Sequence, residues 1–222
     1  MINVIRFDEN VAKLILEKIA FNDSLEFINA DRPDLQNDNF GIGIEVTQAV
    51  DSKDAEIDFL YSQYKDPNDS FFANEMTDEE KNKQRNRKQK LIKDGIENPD
   101  GPLCIGKNFS KGIESKAYDV FYNAVKAKLE KLNEGGYRIY SLNCLFILSK
   151  LYIEEKWCPD LLEQLISISK NYEKQYTKIY TLFLRKFICF DLLTKKIDYR
   201  VIPEATFDEI CFAAYDMCDK KG

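Results

Sequence analysis

The chain contains no histidine among its 222 residues. This absence excludes every catalytic arrangement that depends on an imidazole, including the Ser-His-Asp and Cys-His arrangements and the His-Glu-x-x-His zinc site. Any chemistry that the protein performs must therefore use carboxylates, lysine, tyrosine, cysteine or a bound metal ion.

Long apolar runs and closely paired cysteines are also missing. No window approaches 18 uninterrupted apolar residues, so the sequence predicts no transmembrane helix. Acidic residues appear within the first ten positions, which predicts no secretory signal. The six cysteines include no Cys-x-x-Cys pair, and several lie in apolar segments. Buried free thiols in a reducing compartment are therefore expected, and with them a cytoplasmic protein that does not bind membranes.

The composition is that of a protein with a packed core. Hydrophobic residues make up 44% of the chain and aromatic residues 13%, and the length is typical of one domain. The net charge of −6 argues against a protein that coats nucleic acid through its overall charge. It leaves open a local basic groove.

Helical and strand-like apolar patterns alternate along the chain. Helices are predicted at residues 8–21, 54–64, 115–133 and 159–172, and after a capping box at residues 206–209. Strands are predicted at residues 41–49, 142–148, 179–184, 188–193 and 199–202. Residues 22–41 are predicted to be mainly loop, with a short strand near 25–28 as the alternative. This order predicts an α/β fold with a central mixed β-sheet flanked by helices. Residues 65–112, rich in charge and proline, are predicted to form a partly helical insertion or arm in a single domain spanning 1–222.

Acidic residues are placed where they could bind a metal ion. Asp34 follows Pro33 at the end of a polar loop, and Glu45 lies eleven residues later on an apolar strand. A carboxylate among apolar residues is costly to bury unless it is paired or bound to a ligand. Carboxylate oxygens are the ligands that Mg²⁺ and Mn²⁺ prefer. We therefore predict a Mg²⁺ (or Mn²⁺) site at Asp34 and Glu45, with Glu17 of the preceding helix as a third acid.

Two motifs resemble the PD-(D/E)XK, or restriction-endonuclease-like, nuclease superfamily. Its pattern is an Asp at the start of one strand and an acid-x-Lys on the next, and this chain has Pro33-Asp34 and then Glu45-Val46-Thr47. Residues 128–132, Gly136-Tyr137 and residues 143–147 also look like small uncharacterised members. The resemblance implies a restriction-endonuclease-like fold and Mg²⁺-dependent hydrolysis of DNA phosphodiester bonds.

The chain departs from the superfamily pattern because Thr47 occupies the lysine position. Some members supply this lysine from a helix, and the candidates here are Lys126 and Lys128 of the helix predicted at 115–133. Lys128 is favoured because it lies closer to the apolar stripe of that helix. Thr47 and Gln48 are candidates for polar support beside the acids.

A basic run offers candidate contacts to a phosphate backbone. Seven basic residues lie between Lys81 and Lys93. The residues selected as a nucleic-acid interface are Lys83, Arg85, Arg87, Lys88 and Lys90. Acidic residues flank the run, so a solvated linker helix is the competing interpretation.

Structural interpretations compete with these assignments. In the competing interpretation, Asp34 only caps a turn after Pro33. Glu45 would face solvent if its strand lay at a sheet edge, and Glu17 and the two lysines would be solvated helix residues. The competing function is a catalytically degenerate nuclease-fold module that binds nucleic acid or a protein partner. A homodimer is compatible with either function.

Overall fold

The computed structural model describes residues 7–50, 76–93, 114–149 and 153–219. The chain divides into two compact units, one formed by Met1–Ala49 with Glu114–Gly222 and the other by Val50–Ile113. The described residues contain seven strands and five α-helices.

The first unit is built on a seven-stranded sheet whose spatial order follows the chain. Its strands are β1 (Ile28–Asn29), β2 (Leu35–Asn37), β3 (Ile42–Ala49), β4 (Leu142–Ser149), β5 (Lys178–Phe183), β6 (Lys186–Asp191) and β7 (Lys196–Val201). Strands β3, β4 and β5 are parallel, and every other neighbouring pair is antiparallel. The sheet is therefore mixed, as predicted.

Helices cover both faces of this sheet. They are α1 (Phe7–Ile15), α3 (Glu114–Glu134), α4 (Cys158–Ser169) and α5 (Glu204–Asp219). A π-helical turn, Leu16–Ala20, continues α1. One apolar cluster joins α1 and α5 to the sheet, and a second joins α3 and α4 to it. The predicted α/β class, with helices on both sides of the sheet, is confirmed.

Strand β3 carries its side chains alternately to these two layers. Ile44 and Val46 join the cluster on the α1 side. Glu45, between them, points to the opposite layer, where α3 lies. This alternation explains how an acid becomes buried in an apolar strand.

The second unit contributes one described helix, α2 (Asp78–Lys93). A reciprocal capping box begins it: Thr77 N–H donates to Glu80 Oε2 at 2.8 Å, and Glu80 N–H donates to Thr77 Oγ1 at 3.3 Å. The predicted arm is thus helical here. The helix predicted at 54–64 lies outside the described residues.

Two local predictions were wrong. Strand β2 lies within residues 22–41, which were predicted to be mainly loop, because its three residues are too few to show a strand period. The predicted capping box at Thr206 does not start the last helix. That helix begins at Glu204, and the Pro203 carbonyl accepts the N–H of Phe207, so Thr206 already lies in the first turn.

The described ranges can be compared with the predictions of no transmembrane helix and of free thiols. None of the helices in those ranges has the length and apolarity needed to cross a membrane. Cys144, Cys158, Cys189, Cys211 and Cys218 carry free thiols.

Candidate active site

Asp34 and Glu45 meet across the β2–β3 pair. Leu35 is paired with Ile44, and extending this antiparallel register by one residue places Asp34 opposite Glu45. Directly opposed residues have Cβ atoms roughly 5 Å apart and share a face. Asp34 Oδ2 accepts a hydrogen bond from Val46 N–H at 2.7 Å. Both acids line one cleft of about 320 Å³.

Close packing of the preceding loop fixes the position of Asp34. The Asp34 carbonyl accepts a hydrogen bond from Ala30 N–H at 2.8 Å. Pro33 packs against Gly43 of β3, where an added Cβ would lie 2.8 Å from Pro33 Cγ and 2.4 Å from Tyr140 Cδ2. Only glycine leaves room for these two rings, so Gly43 allows the loop to approach β3.

Glu45 has two carboxylate oxygens in different situations. The residue is 5% exposed. Oε1 accepts hydrogen bonds from Lys128 Nζ at 2.6 Å and from Tyr137 Oη at 2.9 Å. Oε2 is buried and has no partner among the described residues. A buried carboxylate oxygen without a partner is costly, so this atom is suited to a cation.

The position of Lys128 on α3 explains why it reaches Glu45. Two residues along a helix correspond to a rotation of about 200°, so Lys126 and Lys128 project in nearly opposite directions. The Lys128 side chain is 16% exposed. The Lys126 side chain is 51% exposed and lies 4.0 Å from Glu130. Tyr176, which is buried, donates a hydrogen bond to the Lys128 carbonyl at 3.2 Å and anchors this turn.

Burial and mutual repulsion perturb the protonation of the acid pair. Burial, followed by the negative charge of Glu45, raises the pKa of Asp34 to about 7. The same two causes, burial and the Glu45 charge, raise the pKa of the Tyr137 phenol, which therefore stays protonated and donates. The pair thus resists carrying two negative charges without a compensating cation.

The cleft as a whole is acidic. Its ionisable lining comprises the acids Asp8, Glu9, Asp31, Asp34, Glu45 and Glu134, and the bases Arg32, Lys128 and Lys131. Acids outnumber bases two to one, and one base is already paired with Glu45. Such a field attracts cations and repels a polyanion until a cation is bound.

The donor chemistry fits Mg²⁺ or Mn²⁺ at a two-carboxylate site. Mg²⁺ keeps several waters and is commonly held in proteins by only one or two carboxylates. Glu45 Oε2 lacks a partner among the described residues, and the anionic form of Asp34 is destabilised by burial and by the Glu45 charge. Within the described ranges, no group of three or more acidic, cysteine or histidine side chains is arranged to hold a metal. The candidate ligands are therefore Asp34 and Glu45.

Glu17, predicted as a third acid, does not join this cleft. It lies in the π-helical turn, where it accepts a hydrogen bond from Phe27 N–H at 2.7 Å and lies 3.8 Å from Lys13. The acids that α1 contributes to the cleft are Asp8 and Glu9, from its first turn. The sequence placed these two acids and Glu17 on one helix but could not show which end of that helix reaches the sheet edge.

Three further predicted residues lie away from the cleft lining. Thr47 shares a face with Glu45 and is half-buried, but it lies two positions further along β3, a distance of roughly 6.6 Å. Gln48 is exposed on the opposite face. Lys126 points away, as described above. Only Lys128 of the polar candidates is brought to the acids.

The basic residues selected for nucleic-acid binding lie on α2 in the second unit. They are Lys83, Arg85, Arg87, Lys88 and Lys90. Lys83 pairs with Glu79 at 2.9 Å, one turn away, as expected for a solvated helix. Their contact with nucleic acid stays a prediction.

Sequence reasoning missed the tyrosines around Glu45. Tyr137 follows Gly135 and Gly136, which end α3 with φ of +101° and +79°. This sharp turn brings the phenol back to β3. The glycine pair predicted where the helix ends. The sequence did not show that the chain then turns back toward β3, because that direction depends on the folded sheet. Arg32 and Lys131, also missed, line the mouth of the cleft.

Comparison of the chain with protein-family models, curated proteins and solved structures gives no match. A functional assignment must therefore be argued from the chemistry of the cleft.

Proposed function

We propose that the protein is a Mg²⁺- or Mn²⁺-dependent nuclease of restriction-endonuclease-like fold that hydrolyses DNA phosphodiester bonds in the cleft of Asp34 and Glu45. One observation carries this proposal. The buried Glu45 has one oxygen held by Lys128 and Tyr137, and its other oxygen has no partner in the described part of the chain and lies in the same cleft as Asp34. The resemblance to PD-(D/E)XK nucleases adds support, since an Asp precedes one strand and an acid lies on the next.

Asp34 and Glu45 would hold the metal ion through their carboxylate oxygens. When bound, the ion polarises the phosphate, lowers the pKa of a water molecule and offsets charge on the leaving oxygen. Lys128 and Tyr137 fix the orientation of the Glu45 carboxylate from the other side. Such supporting hydrogen bonds keep a ligand in the geometry that the metal requires.

Lys128 would take the role of the motif lysine, whose position in the nuclease pattern is occupied here by Thr47. It would supply the positive charge of that lysine. Its ammonium group is mostly buried, so its field is screened less than that of a surface lysine. A cation fixed in this way stabilises negative charge that develops on the phosphate during attack by water.

Arg32 and Lys131 would hold phosphates on either side of the scissile bond. Both line the cleft, and the Arg32 side chain is 61% exposed, with its Nε 3.9 Å from the Asp31 carboxylate. An exposed guanidinium with such a loose contact is available for bidentate binding of phosphate. These contacts position the backbone without reading base sequence.

The test is cleavage of supercoiled plasmid DNA by the full chain with Mg²⁺ or Mn²⁺ and with EDTA. Glu45→Gln keeps the side-chain shape and removes the charge, and Glu130→Gln makes the same change at an exposed position on α3. We expect metal-dependent cleavage by the wild type and the Glu130 variant. The Glu45 variant should lose at least about 100-fold, because several kcal/mol of charge stabilisation disappear. Equal cleavage by all three proteins, or cleavage in EDTA, would contradict the proposal.

One observation favours a second candidate, a binding module without catalysis. The Lys128–Glu45 ion pair, at 2.6 Å, balances the Glu45 charge without a metal. A module of this kind would bind DNA equally well in EDTA and in Mn²⁺ and would release no heat on Mn²⁺ titration. Fluorescence anisotropy of a labelled duplex, together with calorimetry, separates the two functions.

A further inference from the structure

Strand β7 is an edge strand of the sheet that the described residues form. It is last in the strand order, and no described strand pairs with its outer side. Val201 is 67% exposed and Tyr199 is 38% exposed, which is high for large side chains in a strand. An edge strand that leaves backbone groups unpaired can accept another strand.

The register shows which backbone groups face outward. Ile202 N–H donates to the Arg185 carbonyl at 2.8 Å, so residue 202 directs its backbone groups to β6. In an antiparallel pair, alternate residues direct both N–H and C=O to the same neighbour. Asp198 and Arg200 therefore also face β6, opposite Cys189 and Phe187. The backbone groups that point away from the sheet belong to residues 197, 199 and 201.

The sequence of β7 is complementary to itself in the antiparallel direction. If a second β7 pairs with it about a two-fold axis at Tyr199, each Asp198 lies opposite an Arg200, and each Ile197 lies opposite a Val201. The charged pairs fall at the positions where opposed side chains are closest. The apolar pairs, with the two tyrosines between them, fall on the other face of the strand.

We propose that this edge binds a second copy of the chain, so that two sheets join through antiparallel β7 strands in a symmetric dimer. The outward N–H and C=O groups of residues 197, 199 and 201 supply the main-chain hydrogen bonds. Each residue of the patch meets its complement on the partner, as a two-fold interface requires. The proposal does not depend on the proposed nuclease function.

Charge selects this pairing over other arrangements. Charged edge residues normally discourage strand addition. Here Arg200 Nη2 and Asp198 Oδ2 of one chain already lie 2.9 Å apart on one face of the strand. Arg200 also donates a hydrogen bond to the Ile19 carbonyl, which holds the arginine side chain on that face. Parallel in-register pairing would set aspartate beside aspartate. Antiparallel pairing about Tyr199 sets opposite charges together twice.

Sedimentation velocity of the full chain tests the proposal by charge exchange. The wild type should sediment at about twice the chain mass of 25.9 kDa. Asp198→Arg and Arg200→Asp should each give monomers, because like charges then oppose each other. The double variant Asp198→Arg/Arg200→Asp should regain the dimer. Lys126→Glu, an exposed reversal on α3, is the matched control and should remain dimeric.

A backbone variant provides an independent check. Val201→Pro removes an outward N–H and leaves the hydrogen bonds to β6 in place, so the fold should persist and the dimer should be lost. Thermal unfolding verifies that each variant is folded. A monomeric wild type at 100 μM, on the order of a weak dimer's dissociation constant, would overturn the proposal. So would a dimer that survives Asp198→Arg and Val201→Pro, or a double variant that stays monomeric.

Discussion

Two aspartates in different clefts of the first unit show how a structural acid differs from a candidate ligand. Asp191 accepts hydrogen bonds from Thr194 N–H at 2.8 Å and Leu193 N–H at 3.1 Å, and pairs with Lys178 at 3.3 Å. Burial acts to raise the pKa of Asp191, but Thr194 and Lys178 together outweigh burial and lower it. For Asp34, burial and the Glu45 charge outweigh the Val46 N–H, and its pKa rises to about 7. The fold thus stabilises Asp191 as an anion and destabilises the anionic form of Asp34.

The surroundings of the two acids differ in the same way. The cleft at Asp191, of about 200 Å³, contains the ion pairs Lys178–Asp191 and Arg200–Asp198. The cleft at Asp34 has twice as many acids as bases. A proton or an added cation would relieve the negative charge at Asp34, whereas Asp191 is already stabilised as an anion, so the same Asp→Asn change should have opposite consequences at the two sites.

The largest expected difference is in catalysis. Asp34→Asn should lower the rate of Mg²⁺-dependent plasmid cleavage by at least about 100-fold, because the amide cannot replace a charged ligand. Asp191→Asn should leave the rate unchanged. Gel quantification of nicked and linear plasmid measures both. A loss of the same size in the two variants would show that Asp34 acts through the fold alone.

A second difference separates the two lysines of α3. Lys128→Gln should reduce cleavage by roughly 100-fold to 1000-fold, the range for one stabilising donor. It should also destabilise the metal-free protein, because Glu45 loses its buried partner. Lys126→Gln should change neither property. Mn²⁺ should restore more of the stability in the Lys128 variant than in the wild type, as followed by urea unfolding with and without the ion.

A third comparison concerns stability at neutral pH without metal. Asp191→Asn should cost about 1–3 kcal/mol, because the charged acceptor of Thr194, Leu193 and Lys178 is lost. Asp34→Asn should not cost this much and should stabilise the protein at pH 8, since it removes repulsion from Glu45. Free energies from urea unfolding at fixed protein concentration measure both. The idea fails if Asp34→Asn is the more damaging change.

The smallest expected effect is in pH dependence. Because the pKa of Asp34 is raised by folding from 3.8 to about 7, its contribution to stability is complete below pH 3.8 and is lost as pH rises through 7. Without metal, the Tm of the wild type should thus fall between pH 5 and 8 relative to that of Asp34→Asn. The fall should be about 2–4 °C for each kcal/mol of unfolding free energy that the wild type loses. Scanning calorimetry of the two proteins gives this difference. Parallel pH profiles would contradict the raised pKa.

Much of the fold was predictable because long elements carry their own period. Residues 115–133 repeat at helical spacing and form α3, and residues 41–49 form β3 between a glycine and polar residues. Strand β2 was missed because three residues carry no period. Its place beside β3 depends on Gly43 and Pro33, whose close contact arises only in the folded sheet.

The candidate site was only partly predictable, because several of its contacts arise only in the folded sheet. Glu45 was selected because an acid in an apolar strand is costly to bury, and Asp34 because Pro33-Asp34 precedes that strand as in the nuclease pattern. Lys128 was selected because it lies near the apolar stripe of its helix. Glu17 was selected in place of Asp8 and Glu9 because the sequence does not show which turn of this helix approaches the cleft. Tyr137 was missed because its contact with Glu45 joins residues 92 apart in sequence.

Calorimetric titration of Mn²⁺ into the full chain tests the central claim most directly. A shared site predicts one Mn²⁺ per chain, with binding lost in both Asp34→Asn and Glu45→Gln and retained in Asp191→Asn. Binding that persists in the first two variants, or no binding to the wild type, would contradict the claim that Asp34 and Glu45 hold a common divalent cation.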